Sequence, residues 1–184
     1  MLMSKKNTEI ALERFIEHVV MGSKDNLEAL DKVASGDLLK SINGNVKVSP
    51  NSIEVNVLGA DYLKFIDRGV HGKGGLRKTF KGKKLDSPIQ WKLKRVTNSD
   101  YRFKTERPPA NILRTWAKKK RGVFRKRGDK GMGFAIAESV YRTGIETTNF
   151  FTRPFEKAFE RLPKELVESY ALDIESFIEF TLKD

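Results

Sequence analysis

His18 and His71 are the only imidazoles in the chain, and there is no cysteine to work with either of them. Acyl or phosphoryl transfer needs a nucleophile beside a base, a carboxylate pair in a pocket, or a metal held by clustered ligands. No spacing around the two histidines supplies a metal pair. His18 reads as an edge-of-core residue on a helix, and His71 as a loop residue among polar partners. The glycine run at 69–75, Gly-Val-His-Gly-Lys-Gly-Gly, is similar to a phosphate-binding loop only in its glycines. It lacks the Gly-Lys-Ser/Thr ending and the buried strand that such a loop follows. The absence of thiols also excludes disulfides and thiolate metal sites, and it fits a reducing birthplace such as a cytoplasm. Together these features predict a non-catalytic protein without metal or cofactor, one that acts by binding.

Charge locates the binding. Residues 71–130 carry 21 Lys and Arg against four acids, a net of +17, while the rest has 15 basic against 20 acidic residues, a net of −5. Such segregation predicts a positive region on a mildly acidic body, suited to nucleic acid, an acidic partner face or an acidic patch on another copy. Within it, 70–87 and 121–131 combine glycine with basic residues and too little apolar material to order themselves, and read as flexible insertions. The candidate partner or DNA contacts are Lys73, Arg77, Lys78, Phe80, Lys81, Lys83 and Lys84 in the first stretch. In the second they are Arg121, Phe124, Arg125, Lys126 and Arg127. Phe80 and Phe124 are placed to insert into a partner, whereas Trp91, Tyr101 and Phe103 fall where strands need core residues.

The elements that must hold this region follow from periodicity. Ile10, Leu12, Phe15, Ile16, Val19 and Val20 recur at helical spacing over 8–21, with Thr8 as N-cap and Gly22 as the stop. A second helix is expected over 26–42. Alternation over 45–58 around Ser49-Pro50-Asn51-Ser52 predicts a β-hairpin. A short helix over 61–69 is expected to start at Asp61, bury Tyr62, Phe65 and Ile66, and end on Gly69. Weaker strands are expected over 89–104, then a helix over 109–120 with Ile112, Leu113 and Trp116 inward. Helices over 134–143, 152–162 and 163–183 complete the chain, the last with an acidic face that includes Asp173. The fold class is therefore α+β: a small antiparallel sheet packed by N- and C-terminal helices, with long basic loops, in a single domain over 1–184. The first ten residues do not read as a secretory signal, and no apolar run approaches the length of a membrane span.

The order of these parts resembles the tail-completion and head–tail joining (neck) proteins of tailed bacteriophages. The matching positions are Tyr62, Asp67 and Gly69 in Tyr-x-x-Phe-Ile-Asp-Arg-Gly-Val, then Phe150, Phe151, Pro154 and Ala158 in Asn-Phe-Phe-x-x-Pro-Phe-x-x-Ala. Asp67-Arg68-Gly69-Val70 stands where the family turn carries Glu and Gly-Thr, and the basic insertion after it is longer. The resemblance implies a structural virion protein of the neck or tail, made in the bacterial host cytoplasm. It would assemble as a homo-oligomeric ring around the DNA channel below the portal and touch portal-adjacent, neck or tail proteins. Basic arms facing the lumen would meet genomic DNA through salt-sensitive phosphate contacts. From the residues alone, a basic protein binding DNA or RNA non-specifically is the alternative.

Overall fold

The computed structural model describes residues 6–30, 36–49, 52–80, 83–119 and 129–183. In chain order its elements are α1 (Lys6–Ala29), α2 (Asp37–Ser41), β1 (Asn43–Ser49), β2 (Ser52–Leu58), α3 (Leu63–Arg68), β3 (Val70–His71), β4 (Leu76–Phe80), β5 (Lys83–Gln90), α4 (Ala110–Lys119), α5 (Asp129–Thr143), β6 (Gly144–Ile145) and α6 (Thr152–Lys183). Helices accompany three two-stranded antiparallel sheets, β1–β2, β3–β6 and β4–β5, so the fold is α+β. Where the sequence reading takes 1–184 as one domain, packing groups the chain into two compact units. Met1–Ala60 joins Phe150–Asp184 in the first, and Asp61–Asn149 forms the second.

The first unit is built on the apolar stripe of α1. Leu12, Phe15, Ile16 and Val19 meet Leu162 of α6, and Phe151, Phe155, Ala158 and Leu166 close around them. The β1–β2 hairpin runs from Asn43↔Leu58 to Ser49↔Ser52, and it turns Val46, Ile53 and Val55 onto the same core. Phe15 meets Phe155 edge-on at 5.8 Å, while Phe155 stacks on Phe151 and Phe159. Each side chain buried in this way contributes roughly 1.5–3 kcal/mol, so this layer dominates the unit's stability.

Two expected helix ends are overridden by that packing. Gly22 does not stop α1, because the glycine faces Pro154, whose Cβ would lie 2.9 Å from any Cβ at position 22. It marks a close crossing of two helices, and the chain stays helical through buried Ser23 and Leu27 to Ala29. Nor does Pro163 divide the C-terminal segment; the proline lies inside the 32-residue α6. It removes one N–H from the helical ladder, at a typical cost of about 3 kcal/mol. Leu162 and Leu166 pack on the α1 core on either side of it and keep the helix continuous.

Asp173 changes role as well. Read from sequence as part of an acidic surface, it is 2% exposed and closes the amino end of α1. Its Oδ1 accepts from the Asn7 N–H and Nδ2, both at 2.9 Å. Its Oδ2 accepts from the Thr8 N–H at 3.0 Å and the Thr8 hydroxyl at 2.7 Å. Thr8, the expected N-cap, is thus a donor to a carboxylate 165 residues away. The helix leaves its first N–H groups without internal partners, and the positive end of its dipole favours an anion there.

In the second unit α4 packs on α5, which starts earlier than expected and buries Met132, Ala137 and Tyr141. Ile112, expected inward, is 63% exposed, and Leu113 takes the half-buried position. The Trp116 side chain lies outside the described residues. Helix α3 opens at Tyr62 without a side-chain cap, so Asp61 does not cap it, and Tyr62 is exposed rather than buried.

Burial penalises the charged form of Asp173, but its hydrogen bonds to Thr8 and Asn7 outweigh that and hold its carboxyl below the ordinary aspartate range. A folded pKa below the unfolded value of about 3.9 gives stability that is complete above that value and lost as pH falls through the lowered one. Asp173→Ala is expected to cost about 2–3 kcal/mol at pH 7. Urea unfolding across an acid pH series should show the loss, together with a shallower acid slope than the parent protein. An equal slope in both proteins would remove Asp173 from the acid response.

Candidate interface on a glycine frame

The stretch 70–87 does not read from composition as structure, yet it contains β3, β4 and most of β5. Its order comes from backbone pairing. The His71 N–H donates to the Tyr101 carbonyl at 2.8 Å, and the Phe103 N–H donates to the His71 carbonyl at 3.0 Å. On its other side the same segment pairs Val70↔Ile145 and His71↔Gly144, and the Lys73 and Gly74 N–H groups donate to Tyr141 and Arg142 carbonyls. Hydroxyls close the remaining gaps. Ser99 donates to the Gly69 carbonyl, Thr147 to that of Arg68 and Thr148 to that of Ile66. Buried backbone groups need partners whatever the side chains are, so a segment poor in apolar residues is held by neighbours on both edges.

The approach is close enough to require glycine. A Cβ on Gly69 would stand 2.7 Å from the Ile145 carbonyl oxygen, and one on Gly144 would stand 2.5 Å from that of Val70. A Cβ on Gly72 would collide with the backbone of Arg142, Thr143 and Gly144. Gly69 and Gly144 also hold φ of 77° and 88°, which L side chains rarely adopt. Gly69, expected to close α3 in the left-handed helical conformation, has ψ of 173° and instead launches β3.

A cationic cluster sits on this frame. Lys73, Arg107 and Arg142 each place a charge over the Tyr141 ring, at 6.0, 5.6 and 5.5 Å from its centre. Glu138 holds both guanidiniums, accepting from Arg107 Nε at 2.6 Å and Arg142 Nε at 2.9 Å. Partial burial disfavours its charge, but the two arginines prevail and keep its carboxyl below the usual glutamate range. Arg142 also donates to the Gly74 carbonyl, while the Tyr141 hydroxyl and the Lys73 ammonium both donate to that of Lys104. One carboxylate among three cations leaves an excess of positive charge. The cluster can attract phosphates or carboxylates, and it fixes Lys73 at the base of the next hairpin.

That hairpin is β4–β5. It pairs Leu76↔Gln90 and Arg77↔Ile89, then shifts to Thr79↔Lys84 and Phe80↔Lys83. Pro88 lies within the shift, where its missing N–H cannot serve the ladder. Of the sequence candidates, Arg77, Lys78 and Phe80 belong to β4, Lys83 and Lys84 to β5, and Lys73 lies just before them. Lys81, Arg121, Phe124, Arg125, Lys126 and Arg127 lie outside the described residues. Of the expected arm 121–131, residues 129–131 form the first turn of α5. The strands expected over 89–104 reduce to the end of β5 and one bridge, His71↔Arg102. Tyr101 packs edge-on to Phe65 at 4.9 Å and Phe103 lies 5.9 Å from Tyr141, both as packing residues. His71 places Nε2 3.1 Å from the Ser99 carbonyl, and His18 is exposed.

The positions that carry the sequence resemblance occupy structural posts. The Asp67 carbonyl accepts from the Thr148 and Asn149 N–H groups, and the residue is buried. Phe150 is fully buried and its carbonyl accepts from Asn26. Phe151 and Ala158 border the α1 core, and Pro154 faces Gly22. Sequence reading missed Glu138, Tyr141 and Arg142 as a group, although Glu138 and Arg142 stand four apart on an expected helix. Arg107 had no local signal, since its partner is 31 residues away. Among the described residues no group of His, Asp and Glu is arranged to hold a metal ion, and no helix is long and apolar enough to cross a membrane. Comparison with protein-family models, curated proteins and solved structures returned no match.

Gly144→Ala and Gly72→Ala are each expected to cost at least about 3 kcal/mol, because backbone rather than a movable side chain blocks the new Cβ. Gly131→Ala provides the contrast: nothing lies within 4 Å of its Cβ site in the exposed first turn of α5. That change should raise stability by up to about 1 kcal/mol. Thermal unfolding of the three variants separates a glycine frame from a merely flexible loop, which would tolerate all of them.

Proposed function

We propose that this chain is a structural subunit of a bacteriophage virion neck or tail, a tail-completion or head–tail connector protein that acts by ring assembly rather than catalysis. The observation that carries the reading is the exposed apolar side of α6. Val167 is 71% exposed, and Tyr170, Ile174 and Ile178 follow it at helical spacing on a unit whose core is already filled. Apolar surface of that kind on a stable fold marks a protein partner. The order of parts and the residues Tyr62, Asp67, Gly69, Phe150, Phe151, Pro154 and Ala158 supply the phage reading. A ring around a DNA channel also suits a chain that carries a net of +17 in one stretch and −5 elsewhere.

The β4–β5 hairpin favours a second reading, non-specific DNA or RNA binding. Arg77 and Lys78 on β4 and Lys83 and Lys84 on β5 bring four basic residues onto one short ladder, and basic residues gathered in this way suit sequence-independent phosphate contacts.

Electron microscopy and mass measurement of the purified protein, alone and with portal and tail proteins, separate the two. Discrete rings or incorporation into a neck are expected. A monomer that shifts DNA at moderate salt and never assembles overturns the ring reading in favour of the second.

A further inference from the structure

Beyond Asp173, which closes the start of α1, helix α6 continues for ten residues to Lys183. At about 100° per residue, Val167, Tyr170, Ile174 and Ile178 fall within roughly 80° of arc. Glu168, which has the exposed Lys164 3.9 Å away one turn back, and Glu175 flank that stripe along one edge, both exposed. Between 165 and 182 the helix holds five acids and no Lys or Arg. Two such helices laid face to face would oppose like charges, and an anionic membrane surface or nucleic acid would be repelled. The stripe calls for a partner both apolar and basic.

This chain carries such a surface on its second unit. The Trp91 N–H donates to the Gly75 carbonyl, and a Cβ on Gly74 would lie 3.6 Å from a Leu93 methyl. These contacts and the Leu76↔Gln90 pair bring Leu76 and Leu93 to one rim of the glycine frame. Both leucines are more than half exposed, and Lys73, Lys92 and Arg95, all exposed, each lie within three residues of one of them along the chain.

We infer that the acidic, apolar stripe of α6 in one copy docks on the Leu76–Leu93 rim of a second copy. This inference names the contact of the assembly reading above and rests on it. Because the two surfaces differ, the contact is head-to-tail and repeats until it closes into a ring or runs on as a filament. Complementarity within one sequence identifies the occupant: apolar stripe meets apolar rim, and the acidic edge meets those basic residues.

The test uses charge exchange in the full chain. Glu168→Lys with Glu175→Lys gives one double variant; Lys92→Glu with Arg95→Glu gives the other. Each alone is expected to weaken self-association at least tenfold in sedimentation velocity, and an equimolar mixture should restore it, since every contact then joins opposite charges. Wild-type protein supplies a second measurement that does not depend on the variants' folding. Unlabelled and ¹⁵N-labelled chains are mixed and coupled with a zero-length carboxyl–amine reagent. Mixed-isotope links from Glu168 or Glu175 to Lys73 or Lys92 are expected. Same-isotope links alone, or assemblies that survive both double substitutions, overturn the surface assignment and leave the ring reading standing. A wild-type chain that stays monomeric with all its partners overturns both.

Discussion

The second unit depends on main chain approaching main chain more closely than any side chain permits. Gly69, Gly72 and Gly144 lie where the chain entering β3 meets the chain leaving α5, and their missing Cβ atoms are the space that lets the strands pair. Several of the unit's cations are mounted on or beside that crossing. Lys73 follows Gly72 directly, Arg142 precedes Gly144 by two residues, and the β4–β5 hairpin leaves from Gly75. Charges that repel one another are held in place by a frame that contains no charge.

The first unit solves a different problem with ordinary means. Its core is a helix pair and a hairpin sealed by aliphatic and phenyl groups, and the one buried carboxylate among its described residues closes a helix. It keeps a mildly acidic surface while the second unit carries the cations. The separation has a physical cost, since like charges crowd together within 71–130. Glu138 offsets part of it by holding two arginines at once.

Elements that bury a periodic stripe were legible in the sequence: α1, the β1–β2 hairpin and the α+β class follow from spacing, whereas α4 was placed with the wrong residue inward at Ile112. The errors came from residues whose role is set by something distant. Gly22 and Pro163 are local breakers overruled by packing between α1 and α6. Asp173 looked like surface because its partners lie at the other end of the chain. Composition counts side chains and so gives no sign that residues 70–74 pair through carbonyls and N–H groups with 101–103 and 141–145, or that β4 and β5 pair with each other. Of the candidate contacts, six of the twelve lie in or beside the hairpin, five of them singled out by charge and Phe80 as an aromatic. The cluster around Tyr141 was not legible, because it assembles from three separated stretches.

The clamp of Asp173 on Asn7 and Thr8 imposes an order on synthesis. Residues 61–149 are contiguous, so the second unit has all of its own chain before α6 is made. The first unit does not: α1 emerges early, but the helix that covers its stripe comes only after residues 61–149, and the carboxylate that closes its end lies 165 residues beyond Thr8. On a ribosome adding residues from the amino end, the basic unit can fold while α1 still waits for its partner. The acidic, apolar end of α6 arrives only after the whole of the second unit has been made.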